Sequence, residues 1–206
     1  MLSRLATSHS RRADSAETSG EVGGWTVVIA DGHAVLPNGM KHLPDKGQGV
    51  QQCTALVSVA CPRSLISIGD NAFGGCTSLT SIALPTGLTR IGDFAFGKCS
   101  LTCIGFPAHL AFIGNGAFFR CRALTSVTLP AGLTSIGARA FYGCSSLTAV
   151  KLPAGIASIG VAAFYRSSLP RVIVPTTAEI ADDAFPSSVT TPSSVARPQR
   201  CAGTRR

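Results

Sequence analysis

Six prolines, at positions 62, 85, 107, 130, 153 and 175, are spaced by 23, 22, 23, 23 and 22 residues. Six phenylalanines, at 73, 96, 118, 141, 164 and 185, keep the same period with steps of 23, 22, 23, 23 and 21. Two residue types holding one phase over six copies mark a chain built from stacked copies of one supersecondary unit. One unit reads Leu79-Thr-Ser-Ile82-Ala-Leu84-Pro85-Thr-Gly-Leu88-Thr-Arg-Ile91-Gly92-Asp-Phe-Ala95-Phe96-Gly-Lys-Cys99. Another reads Leu124-Thr-Ser-Val127-Thr-Leu129-Pro130-Ala-Gly-Leu133-Thr-Ser-Ile136-Gly137-Ala-Arg-Ala140-Phe141-Tyr-Gly-Cys144.

Within a unit, alternation around Ile82 and Leu84 predicts a short strand that points these two inward and Ser81 and Ala83 outward. Pro85 ends the strand because it has no N–H for the next ladder bond, and Gly87 permits a turn. Leu88, Ile91, Ala95 and Phe96 return apolar side chains to the interior, with Gly92 at another bend. A single unit cannot bury that many apolar groups, so neighbouring units must share one continuous core, with strands about 4.8 Å apart. Leu79, Ile82 and Leu84 have the Leu-x-x-Leu-x-Leu spacing that resembles leucine-rich repeats, so the expected fold is a β-rich leucine-rich-repeat solenoid of about six units with a parallel sheet.

The unit resembles the BspA-type leucine-rich repeat, whose pattern is Leu-x-x-Ile-x-Leu-Pro followed by Ile-Gly-x-x-Ala-Phe-x-x-Cys. The resemblance spans residues 53–186 and implies a right-handed curved coil with a concave parallel sheet. It also implies surface adhesion or protein binding, not catalysis. The chain departs from the general leucine-rich consensus, which places Asn or Cys three residues after the last strand leucine. Gly87, His109, Gly132 and Gly155 stand there, so no asparagine ladder is expected.

Both ends look irregular. Residues 25–52 read as a degenerate first repeat that caps the array, with Trp25 to Ile29 as its strand. Leu169 to Phe185 keeps Val172, Val174, Pro175, Ile180 and Phe185 but loses the cysteine, as terminal repeats do. Residues 1–24 and 187–206 read as disordered tails. Of the formal charge of +8, residues 51–186 carry nine cations against five anions and the last tail carries Arg197, Arg200, Arg205 and Arg206 without an acid. Such a tail is a candidate contact for nucleic acid or an anionic surface. The first twenty residues lack the apolar run of a secretory signal, and no run suits a membrane span. A cytoplasmic or organellar location is the default reading, and the resemblance adds a cell-surface alternative.

Cys53, Cys76, Cys99, Cys121 and Cys144 share one repeat position, with Ser167 in the sixth place. Without a Cys-x-x-Cys spacing or a recurring histidine, the column reads as a buried stack of reduced thiols, not a metal site. No arrangement of His9, His33, His42 or His109 with a repeated acid and nucleophile exists, so no catalytic residues, metal or cofactor are expected. The outward strand positions are mostly small and neutral until Lys151 and Arg171. Beside the buried phenylalanines run Phe119, Tyr142 and Tyr165, accompanied by Lys98, Arg120 and Arg166. This column reads either as an aromatic–basic binding rim or as rings stacked on one another beneath arginines. The candidate partner contacts are therefore Lys151, Arg171, Tyr142, Tyr165, Arg166 and Arg120. The expected function is a non-catalytic module that binds a protein or glycan on its curved face. The alternatives are nucleic-acid or anionic-surface association through the basic tail and rim, and a structural fragment of a longer array.

Overall fold

The computed structural model describes residues 17–45 and 50–189, and its described residues form strands and turns with no helix. Each repeat makes one coil, and each coil contributes to two parallel ladders. In the first, β3 (His33–Val35), β5 (Ser58–Ala60) and β7 (Ser81–Ala83) pair in register, His33 to Ser58 to Ser81. Further along, β10 (Ser126–Thr128) pairs with β12 (Ala149–Lys151). The expected strand at Leu101 to Phe106 is reduced to one bridge, Gly105 to Thr128. Its unit has one residue fewer between Cys99 and Leu101 than lies between Cys76 and Leu79, and glycine packs poorly in a strand.

The longest ladder is one that the strand alternation does not announce. It is built from the dipeptide that ends at the Ile of each Ile-Gly pair, or at Leu43 and Ile180 where Pro44 and Ala181 stand in place of the glycine: β4 (His42–Leu43), β6 (Ser67–Ile68), β8 (Arg90–Ile91), β9 (Phe112–Ile113), β11 (Ser135–Ile136), β13 (Ser158–Ile159) and β14 (Glu179–Ile180). All seven strands are parallel and in register. Between the ladders the Pro85 carbonyl accepts the Leu88 N–H at 3.1 Å, closing the turn expected at Gly87.

The Ala-Phe segment forms a third set of links. The N–H groups of Asn71, Phe73 and Gly75 donate to Asp93, Ala95 and Gly97 of the next coil, while those of Ala72, Gly74 and Cys76 donate three residues back. This alternation needs two left-handed residues per coil, for example Arg139 and Gly143 at φ 56° and 71°. Phe73, Phe96, Phe118, Phe141 and Phe164 are fully buried, and with Phe185 they stack at centroid separations of 5.0–5.3 Å. That spacing matches adjacent strands, so rings and backbone repeat together. Val50 takes the phenylalanine's place at the head of the column, its N–H donating to the Ala72 carbonyl. No polar or charged side chain is buried among the described residues.

The N-terminal reading needs correction. Trp25 to Ile29 lies in β2 (Trp25–Ala30), which is antiparallel to both β1 (Glu17–Val22) and β3 and is not a coil strand. The first coil strand is His33–Val35, and β1 lies inside the stretch expected to be a tail. The hairpin covers the exposed edge of the first parallel ladder, which would otherwise invite pairing with another chain. Residues 1–16 and 190–206, which hold the remaining tail expectations and Cys201, lie outside the described residues.

Gly92, Gly114 and Gly137 are required by close approach, not by φ. A Cβ on Gly137 would lie 2.6 Å from the Gly114 carbonyl carbon, whereas one on Gly155 meets nothing nearer than 3.7 Å. Thermal and denaturant unfolding should therefore show Gly137→Ala destabilised by about 1–3 kcal/mol through overpacking, with Gly155→Ala near neutral. Phe141→Ala should cost about 3–5 kcal/mol by opening a cavity in the ring column. Ser126→Ala, exposed on β10, should change stability little.

Candidate functional site

The candidate contacts fall into two groups. Lys151 and Arg171 lie exposed on the outer face of the first ladder, and Arg120, Tyr142, Tyr165 and Arg166 lie along the edge formed by the Ala-Phe turns. On that edge Phe119 stacks on Tyr142 at 5.3 Å and Tyr142 on Tyr165 at 5.8 Å, while Phe94 meets Phe119 edge-on at 6.0 Å. The Arg120 guanidinium lies 5.1 Å from the Phe119 ring centre and that of Arg166 lies 5.8 Å from Tyr142. The second of the two readings of this column, rings stacked beneath arginines, is thus present as geometry. It also leaves the edge accessible, because Tyr165, Arg120 and Arg166 are all exposed. Arg120 and Arg166 occupy left-handed positions with φ near 57° and 59°, which projects both side chains from the same corner of their turns.

The first-ladder face is less uniform than expected. Val28 and Val35 pair in register and are 45% and 67% exposed, so an apolar patch opens this face at its N-terminal end. The strand pattern Thr26-Val27-Val28-Ile29 carried that signal, hidden by taking Trp25 to Ile29 for a coil strand. At the other end Ile173 is 81% exposed beside Arg171.

An Asp/Asn ladder forms after all, but at another position. The Oδ1 atoms of Asp45, Asp70, Asp93 and Asn115 accept the backbone N–H of Asp70, Asp93, Asn115 and Ala138 at 2.7–2.8 Å. The position following Gly92 and its equivalents carried this signal. Near its start, His42, Asp45, Ser67, Asp70 and Arg90 line an open cleft of about 500 Å³. The His42 Nδ1 lies 2.8 Å from the Ser67 hydroxyl, and His33 Nδ1 lies 2.6 Å from that of Ser58. No described carboxylate bonds to either imidazole, so neither pair has the third group that orients a catalytic base. No group of three or more metal-ligating side chains occurs among the described residues.

The cysteine column is buried. Cys76, Cys99, Cys121 and Cys144 donate their S–H to the carbonyls of Val50, Phe73, Phe96 and Phe118 in the preceding coil at 3.0–3.2 Å. Burial pushes the Cys76 and Cys144 thiols up to about 12, and those of Cys99 and Cys121 also well up. Ser167 ends the pattern by donating to Phe164 within its own coil. Cys61, half-buried at an inward strand place, is likewise pushed up to about 12, and Cys103 is exposed.

These features define a class: a β-solenoid repeat protein whose chemistry lies on its surface and whose interior is sealed by apolar columns. A family model described as the BspA type leucine rich repeat region matches six copies across residues 48–169 and 111–197. The chain belongs to the BspA-type leucine-rich repeat family. Among solved structures it is similar to the leucine-rich repeat protein of T. pallidum, with 30% identity, 84% of this chain and 81% of that chain covered, and a TM-score of 0.64. A leucine-rich repeat protein from Bacteroides ovatus is 19% identical over 86% of this chain and 60% of its own, with a TM-score of 0.46. The pneumococcal vaccine antigen PcpA is 17% identical over 75% of this chain and 58% of its own, with a TM-score of 0.38. No curated protein matches the chain. No described helix is long and apolar enough to cross a membrane.

Alkylation of the native protein should modify Cys103 quickly and Cys76, Cys99, Cys121 and Cys144 slowly, read by mass spectrometry. The buried thiols hold their protons to higher pH than the usual value of 9, so the unfolded chain releases protons first as pH rises. Stability should therefore be independent of these groups below pH 9 and fall between about 9 and 12, as pH-dependent melting can check.

Proposed function

We propose that the chain is a non-catalytic binding module that recognises a protein partner on the surface of its C-terminal coils. The observation that carries this reading is the edge where Arg120 and Arg166 lie over the ladder of Phe119, Tyr142 and Tyr165. Arginine and tyrosine dominate the energetics of protein interfaces, because each offers large area and directional hydrogen bonds at modest entropic cost. Here stacking holds both kinds of side chain in place before a partner arrives, which lowers the ordering cost of binding. Lys151 and Arg171 add charge on the neighbouring strand face, while the small side chains of Ser126, Thr128 and Ala149 let a partner approach closely. Family membership supports the same class of function, since stacked repeats present extended recognition surfaces.

A partner isolated from the native source supplies the test. Lys151→Ala/Arg171→Ala should weaken its binding without lowering the melting temperature, and Ser81→Ala should leave binding unchanged. Truncating a well-placed anchor such as Arg166 should cost about 2 kcal/mol of binding free energy, measured by calorimetry. Deletion of residues 190–206 should leave most of the affinity intact. Loss of all binding on that deletion alone would transfer the function to the tail.

A further inference from the structure

Between Asp93 and Glu179 the chain contains no aspartate or glutamate, yet it contains seven lysines and arginines. All seven are exposed. Two of them, Lys151 and Arg171, lie on the strand face. The other five gather on the edge of the Ala-Phe turns: Lys98, Arg120, Arg139 and Arg166 fill left-handed positions there, and Arg122 follows Cys121. Carboxylates bound this block only at its limits, Asp93 before it and Glu179, Asp182 and Asp183 after it. None of the five edge cations is paired with a described carboxylate.

The fold does not demand this segregation. The column that holds Lys98, Arg120 and Arg166 also accepts Gln52, Gly75 and Gly143, and the column of Arg139 accepts Asn71 and Ala162. Cations one or two coils apart are roughly 5–10 Å from each other, at or within a Debye length, so they repel in the free protein and act together on an approaching anion.

We propose that this edge docks an acidic segment of the partner protein, a stretch rich in aspartate and glutamate; this rests on the protein-binding reading above and narrows it. Guanidinium forks suit carboxylates, which they can engage with two parallel hydrogen bonds. The aromatic ladder supports the same choice over nucleic acid or a glycan, both of which use open ring faces for stacking. Tyr142 has Phe119 on one side and Tyr165 on the other, and Phe119 meets Tyr142, the edge of Phe94 and the Arg120 guanidinium. Those faces are taken, whereas Tyr165, at the end of the ladder, has a ring partner, Tyr142, on one face only.

The experiment uses the full chain and a short fluorescein-labelled peptide of alternating Glu and Gly, followed by fluorescence anisotropy. Saturable binding is expected at low ionic strength, weakening about tenfold or more by about 0.15 M salt. Arg120→Gln/Arg139→Ala/Arg166→Gln should bind about tenfold or more weakly with an unchanged melting temperature, because Gln52 and Ala162 already occupy those columns. Should that variant melt early, Lys98→Gly/Arg122→Ser carries the same expectation, because Gly143 and Ser145 already stand at those two places in another coil. Absence of peptide binding at low salt, or equal binding by the variants, overturns the proposal; equal binding also covers the case in which a tail captures the peptide. Tighter binding of an oligothymidylate or a sulfated oligosaccharide of equal charge overturns the acidic-protein assignment. A native protein partner that binds independently of salt and of these substitutions would leave the binding module standing and remove only the acidic segment.

Discussion

A coil of this protein can neither satisfy its own backbone nor bury its own side chains. Both are completed by the next coil, one strand spacing away. Backbone N–H groups reach across at both ladders and again at the Ala-Phe turn, and the phenylalanine rings stack at 5.0–5.3 Å because the strands beside them set that distance. Close approach at the Ile-Gly bend leaves no room for a Cβ on Gly92, Gly114 or Gly137. The thiols belong to the same arrangement, since each S–H in the column from Cys76 to Cys144 closes on a carbonyl of the coil before it. Registration between coils is thus the condition for every other contact in the core.

Registration governs the surface as well. Whatever residue occupies a position in one coil meets its counterpart in the next, so side chains group by column whether or not they attract. Some columns use this cooperatively. Asp45, Asp70, Asp93 and Asn115 pass hydrogen bonds from coil to coil, and Phe119, Tyr142 and Tyr165 build a continuous ladder. Cations on the adjoining columns rest on these rings but have no carboxylate partner among the described residues. Their cost in the free chain is repulsion, and their value lies in the field they offer to something negatively charged.

Much of this was legible from spacing alone. The prolines and phenylalanines place the six coils after the first, Ile82 and its equivalents point inward, and the cysteine column is buried. Other features were less legible for physical reasons. The seven-stranded ladder consists of two-residue strands, too short for alternation to reveal, although each ends in an inward Ile or Leu before the bend. The hairpin of β1 and β2 copies no repeat, so periodicity is silent about it, and its Val28 and Val35 were therefore missed as an exposed pair. The gap in the first ladder reflects a single missing residue after Cys99 together with Gly105, a change too small to disturb the repeat yet large enough to spoil strand pairing. Of the candidate contacts, Arg120, Tyr142, Tyr165 and Arg166 come together on one edge, while Lys151 and Arg171 lie on another face.

The repeat period, the apolar columns and the sign of the charge are properties of the sequence by itself, because each depends only on which residue recurs at which interval. Which faces those columns occupy depends on how the coil closes. The tertiary structure decided that the ring faces of Phe119 and Tyr142 are occupied, that aspartate oxygens are spent on the next coil's N–H groups, and that Arg120 and Arg166 project from one corner. Each of these rests on a contact between residues more than twenty positions apart or on a left-handed backbone angle, and neither is encoded in the identity of any single residue.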